Sequence, residues 1–178
     1  STKRFIVMTK LDTTQLESLC QAAKKAAINA GEFIQSQFDQ EYEKQHKEGG
    51  DSLASQVVTI VDLKAQDIIL EGLKDSIQTY EFGLLTEELT DDRSRLKSDY
   101  FWCIDPMDGT LPFTEQRTGY AVSIALISNI GDPVVGVVYV PDTQTCYSAI
   151  QGGTVNVNGE SLERATPSDE LHWYMDRS

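Results

Sequence analysis

Basic residues are scarce in this 178-residue sequence: 15 Lys and Arg stand against 28 Asp and Glu, a formal net charge of −13. Reading a phosphate backbone requires a basic face, so nucleic acid is not an expected partner. No run approaches the roughly 18 consecutive apolar residues of a membrane helix, so a membrane-spanning role is not expected either. The apolar run at 5–8 is too short for a secretory core. Histidine is limited to His46 and His172, both in polar or terminal sequence, where they read as surface residues rather than ligands. The three cysteines, Cys20, Cys103 and Cys146, are far apart and match no metal-ligand spacing. Each lies in apolar sequence, so buried thiols in a reducing cytoplasm are expected, not a disulfide framework. With five prolines and no Pro/Gly-rich tract, no interdomain linker or low-complexity segment stands out, and no internal repeat appears.

A core is not lacking. A 40% hydrophobic share excludes a disordered chain, and the length suits one domain. Thr14-x-x-Glu17 reads as a capping box opening a long amphipathic helix. Its apolar positions are Leu16, Leu19, Cys20, Ala23, Ala26, Ala27, Ala30, Phe33, Ile34 and Phe38. The pattern fades over the polar stretch 41–50. Residues 57–61 are β-branched and predict a short strand, after which Asp62 is placed to cap a second helix bearing Ala65, Ile68, Ile69 and Leu73. Further on the period changes to that of strands, at 80–85, 100–104, 120–128, 134–140 and 145–150. Compact breaks at 129–133 and 141–143 predict antiparallel neighbours, and Gly152-Gly153 and Asn158-Gly159 supply two more turns. The fold class is α+β, with N-terminal helices packed on a largely antiparallel sheet.

The carboxylates cluster just beyond these apolar segments: Asp62, then Glu87-Glu88, then Asp105-Pro-Met-Asp108-Gly-Thr110. If the strands are neighbours, the carboxylates converge at one end of the sheet. Pro106 biases Asp105 towards extended geometry, and Asp108-Gly109 permits a sharp reversal. Converging Asp and Glu suit a hard divalent cation such as Mg²⁺. Two such ions can hold a phosphate and activate water. Backbone N–H groups of Gly109 and Thr110 can receive that phosphate if a helix starts there. Each element also has a plain structural reading. Asp-Pro and Asp-Gly are ordinary turn dipeptides, Glu87-Glu88 suits a solvated turn, and Asp62 suits a helix cap. Only their shared placement argues for chemistry.

At these residues the sequence resembles the inositol monophosphatase family of Mg²⁺-dependent, lithium-sensitive phosphatases, which includes the 3′(2′),5′-bisphosphate nucleotidases. The likeness rests on Trp102-Cys-Ile-Asp-Pro-Met-Asp-Gly-Thr110, Thr86-Glu-Glu88 and Val58-Thr-Ile-Val-Asp62. It continues through 119–127, 136–141 and Asn158-Gly159. The resemblance implies a domain over 13–170 after an extension at 1–12, forming the first half of a layered αβαβα sandwich. It implies that 171–178 start a C-terminal αβ portion otherwise absent from this sequence, roughly a hundred residues long in the family. That portion carries a Trp-Asp motif that completes the second metal site, and neither Trp102 nor Trp173 is followed by Asp.

The implied roles follow by position. Glu87 and Asp105 bind metal together with the Met107 backbone carbonyl, and Asp108 holds a further ion, for two or three Mg²⁺ in all. Glu87, Thr110 and Asp62 act on the attacking water; Asp108, Gly109 and Thr110 meet the phosphate. Thr86 stands where the family usually has Gly, and Lys47 is the nearest candidate for a loop lysine. The expected substrate is an inositol monophosphate, with a 3′(2′),5′-bisphosphate nucleotide as the alternative. A homodimer in the cytoplasm is the assembly the resemblance implies. Two other classes remain open: a catalytically inactive domain that binds metal, phosphate or protein partners, and a Ca²⁺-binding structural module. The latter has no Asp-x-Asp-x-Asp loop to support it.

Overall fold

The computed structural model describes residues 10–48, 54–115 and 117–162, with the side chains of 38–48, 54–59, 111 and 114 left aside. Two long helices, α1 (Thr13–Glu48) and α2 (Ala54–Tyr80), precede a seven-stranded sheet. The strands are β1 (Gly83–Thr86), β2 (Tyr100–Asp108), β3 (Ala121–Ser128), β4 (Pro133–Val140), β5 (Thr145–Ile150), β6 (Asn156–Val157) and β7 (Glu160–Ser161). A short helix, α3 (Thr110–Thr114), follows β2. Spatial order equals chain order; β1 pairs parallel with β2 and every other pair is antiparallel. The sheet is therefore largely antiparallel, as expected, with one parallel edge. Among the described residues, no helix is long and apolar enough to cross a membrane.

Small residues set how closely α1 approaches its neighbours. Ala23, Ala26, Ala27 and Ala30 are essentially inaccessible, and Ile34 joins them. A Cβ built on Gly72 of α2 would lie 2.9 Å from that of Ala26, and one on Gly31 would lie 2.4 Å from the Tyr139 ring. Side chains at those two points would push α1 off both α2 and β4. The opposite sheet face, with Phe101, Cys103, Ser123, Ala125 and Ile127, is half-buried along β2 and β3. Cys20 and Cys146 are buried and Cys103 half-buried, all unpaired.

Four local expectations are corrected. The capping box lies two residues earlier: Asp12 N–H donates to Gln15 Oε1 at 2.9 Å and Gln15 N–H to Asp12 Oδ1 at 2.8 Å. Asp and Gln at that spacing satisfy the orphan donors as well as Thr and Glu would. The polar stretch from 41 does not end α1, which runs on to Glu48. The β-branched residues 57–61 are helical, and Asp62 sits well inside α2 rather than capping it. Val61, Ala65, Ile69 and Leu73 explain this: they recur every four residues and are all at most 2% exposed, so packing overrides β-propensity. Finally, helix continues to Tyr80 and the strand starts only at Gly83. Glu81 makes the break, with φ of 53°. Of the sequence features named above, the apolar run at 5–8, the end of the polar stretch at 49–50 and residues 163–178 lie outside the described residues, as do the Phe38, His46 and Lys47 side chains.

Candidate active site

The parallel pairing of β1 with β2 builds the site. Thr86 is in register with Ile104, so the next residue of each strand, Glu87 and Asp105, emerges side by side. Glu87 N–H donates to Ile104 O at 3.2 Å and fixes that exit. An antiparallel pair would have sent the two carboxylates to opposite ends.

A β-bulge then aligns the second aspartate. Asp105 pairs with Ser123 and Asp108 with Ala121, so three steps along β2 match two along β3. Residues three apart on a regular strand face opposite sides; the extra residue returns Asp105 and Asp108 to one face. Met107, between them, is 1% exposed and anchors the bulge in the core. Its N–H donates to Asp105 Oδ1 at 3.1 Å, and its carbonyl accepts from the Thr110 hydroxyl at 3.2 Å. Gly109 has φ of +92°, and a Cβ there would sit 2.6 Å from Gly119 O, so the reversal requires glycine. Below it Phe113 meets Tyr120 edge-to-face at 5.5 Å, and Tyr120 donates to Gln35 Oε1 at 2.7 Å, tying α3 to α1.

α2 delivers Asp62 to the same corner, 6% exposed. Burial, followed by the charges of Glu88, Glu87 and Asp105, pushes its pKa up to about 7. Asp105 is also pushed up to about 7, by burial first, then by the hydrogen bond its protonated carboxyl donates to Glu87 and by the charges of Glu87 and Asp108; the Met107 N–H opposes. A hydrogen bond between two carboxyl groups requires that one keep its proton. Asp62, Glu87, Glu88, Asp105 and Asp108 thus act on one another electrostatically across 46 residues of chain.

The donors are all oxygen, which suits a hard divalent cation. Among the described residues, no three Asp, Glu, Cys or His side chains stand close enough to hold a metal ion as they are placed. A cation held here would compete with the proton that the raised pKa of Asp105 retains. An open hollow lined by Leu85, Glu87, Cys103, Asp105, Ser123 and Ala125 lies beside the cluster.

Glu88, without an assigned role in the motif, acts on Asp62 more strongly than Glu87 or Asp105 does. Gln66, buried four residues after Asp62, carries no signal in the sequence, because a polar residue between apolar helix positions gives no sign of being buried. Ser123 is equally silent in the sequence, since its proximity to Asp105 arises only from strand register.

A layered αβ fold presenting an Asp-Pro-Met-Asp-Gly-Thr turn beside a Glu-Glu strand end defines a class of acidic, oxygen-donor sites. The model of the inositol monophosphatase family matches residues 15–174, and the chain belongs to that family, in which Mg²⁺ dependence is general. It is 35% identical over 138 residues to the 3′(2′),5′-bisphosphate nucleotidase CysQ of Salmonella typhimurium, covering 77% of this chain and 52% of that protein. It is 33% identical over 156 residues to inositol monophosphatase 1 of Solanum lycopersicum, covering 86% and 54%. Among solved structures, the extragenic suppressor protein SuhB of Bartonella henselae aligns with a TM-score of 0.68 at 26% identity, over 84% of this chain and 55% of that one. CysQ of Bacteroides thetaiotaomicron aligns at 0.65 and 30%, over 84% and 53%. The chain spans about half the length of the curated relatives it matches.

Proposed function

We propose that this chain, as domain 13–170, carries the carboxylate half of a metal-dependent phosphomonoesterase acting on a small phosphorylated substrate. The observation that carries this reading is the meeting of Asp62, Glu87 and Asp105 at one sheet end, beside the Asp105–Thr110 turn. Glu87, Asp105, the Met107 carbonyl and Asp108 would hold two or three Mg²⁺. Bound there, the ions would neutralise phosphate oxygens and lower the pKa of water.

The remaining work falls to the chain's own groups. The Thr110 hydroxyl is held 3.2 Å from the Met107 carbonyl, at the mouth of the turn. From there it helps activate a water that Glu87 orients, while Asp62 supports the threonine from behind and takes up the proton that the water gives up. Asp108, with the Gly109 and Thr110 amides, orients the phosphate from the other side of the turn. Inositol monophosphate is the first substrate reading. A 3′(2′),5′-bisphosphate nucleotide is the second, favoured by the 35% identity to a nucleotidase. Three unpaired thiols support a reducing, cytoplasmic setting, and a homodimer is the assembly proposed.

Phosphate release with added Mg²⁺, measured on this chain and its Asp108→Asn variant, tests the reading. Release that depends on Mg²⁺ and vanishes in the variant is expected. Turnover surviving the substitution overturns the mechanism, and a wild-type chain that releases nothing belongs with the inactive, binding-only alternative.

A further inference from the structure

Two buried side-chain atoms lack a hydrogen-bond partner among the described residues: Gln66 Oε1 and Thr86 Oγ1. Gln66 is 1% exposed and Thr86 8%. Native folds keep few such atoms, because each has given up its bonds to water for nothing. Other buried hydroxyls here are satisfied. Ser76 donates to Leu73 O and accepts from the Trp102 indole, and Ser128 accepts from Asp132 N–H.

Both orphans flank the carboxylate cluster on its inner side. Gln66 follows Asp62 by four residues within α2, so the two share one helix face a turn apart. Thr86 directly precedes Glu87 and is in register with Ile104, which is buried against the helices. Neighbours in register share a sheet face, so Thr86 is on the helix side as well. The chemistry of the two atoms is complementary. A threonine hydroxyl can donate to a carboxylate; a carboxamide oxygen only accepts, and so needs a donor such as water.

We propose that Thr86 and Gln66 are positioning residues whose hydrogen bonds are completed when the carboxylate site takes up a divalent cation. The Thr86 hydroxyl donates to an Asp62 carboxylate oxygen, and Gln66 Oε1 accepts from a water ordered behind it. Asp62 is thereby held in the orientation the site needs, although neither residue touches the cation. The inference rests on the metal-site reading above.

Mn²⁺ serves as the probe, its binding to the full chain followed by the loss of the free-ion paramagnetic resonance signal, alongside melting in EDTA. Thr86→Val keeps the shape and deletes the hydroxyl. It should melt at or above the wild-type temperature without metal, yet bind Mn²⁺ about 10-fold more weakly or worse, the usual effect of removing a group that orients a ligand. Thr86→Ser should restore affinity, and Gln66→Met, which keeps the length of the side chain but deletes its carboxamide, should weaken binding in the same direction. A folded Thr86→Val or Gln66→Met chain that binds Mn²⁺ like wild type overturns the proposal and leaves the metal site standing. Wild-type chain that binds no Mn²⁺, or an Asp105→Asn variant that binds it equally well, overturns the metal-site reading and this inference with it.

Discussion

The seam between α1 and strands β3–β5 and the corner where α2 meets β1 and β2 use the same elements to bury different chemistry. Along the seam Ala27, Ala30, Ile34, Val122, Val137 and Tyr139 are all at most 5% exposed. In the corner, Asp62, Gln66 and Thr86 are three of the six buried polar residues among the described residues. Both orphaned polar atoms lie there, and so do the carboxylates driven towards neutrality. Cohesion therefore comes from the seam, whereas the corner holds like charges together at a cost in stability. That separation lets a site retain electrostatic strain without unfolding its scaffold.

The comparison breaks most severely at the seam. Ile34→Ala should cost about 2–5 kcal/mol in urea unfolding, since the side chain is fully buried and its removal leaves a cavity. Gly31→Ala comes next, at about 1–3 kcal/mol, because the new methyl would overlap the Tyr139 ring. If either change proves neutral, α1 is not packed as described.

The corner should respond to pH instead, and more gently. Asp62 and Asp105 have folded-state pKa values of about 7, raised from 3.8. Their protonated forms favour the fold, so this contribution is complete below the unfolded value and lost as pH rises through about 7. Melting in EDTA should therefore fall with rising pH across that window, by about 2–4 °C for each 1 kcal/mol lost. Asp105→Asn should flatten the profile. Added Mg²⁺ should raise the melting temperature more at pH 8 than at pH 5, where protons compete for the same oxygens. A metal-free melting temperature that climbs with pH would show the carboxylates to be separated or paired with cations.

Some of this was legible before any coordinates. The α1 pattern survives because ten apolar positions at helical spacing outweigh any single residue, and the antiparallel run from β3 to β5 survives because its turns are short. The Asn158-Gly159 turn is equally local: both residues have positive φ, as a two-residue hairpin between β6 and β7 demands. Residues 57–61 mislead because five consecutive β-branched residues fit a strand or a buried helix face equally well, and only packing decides between them.

Sequence alone determined the Asp105–Thr110 turn, since Pro106 restricts the backbone before it and Gly109 alone accommodates φ of +92° within it. These are constraints between adjacent residues, so no neighbour is needed to impose them. Tertiary structure decided the rest: the parallel register that sets Glu87 beside Asp105, the bulge that turns Asp108 to the same face, and the helix that brings Asp62 in beneath them. Each is a relation between segments far apart in the chain, fixed by which faces can be buried together. A carboxylate's neighbours, and hence its proton, are therefore set only when the chain has folded.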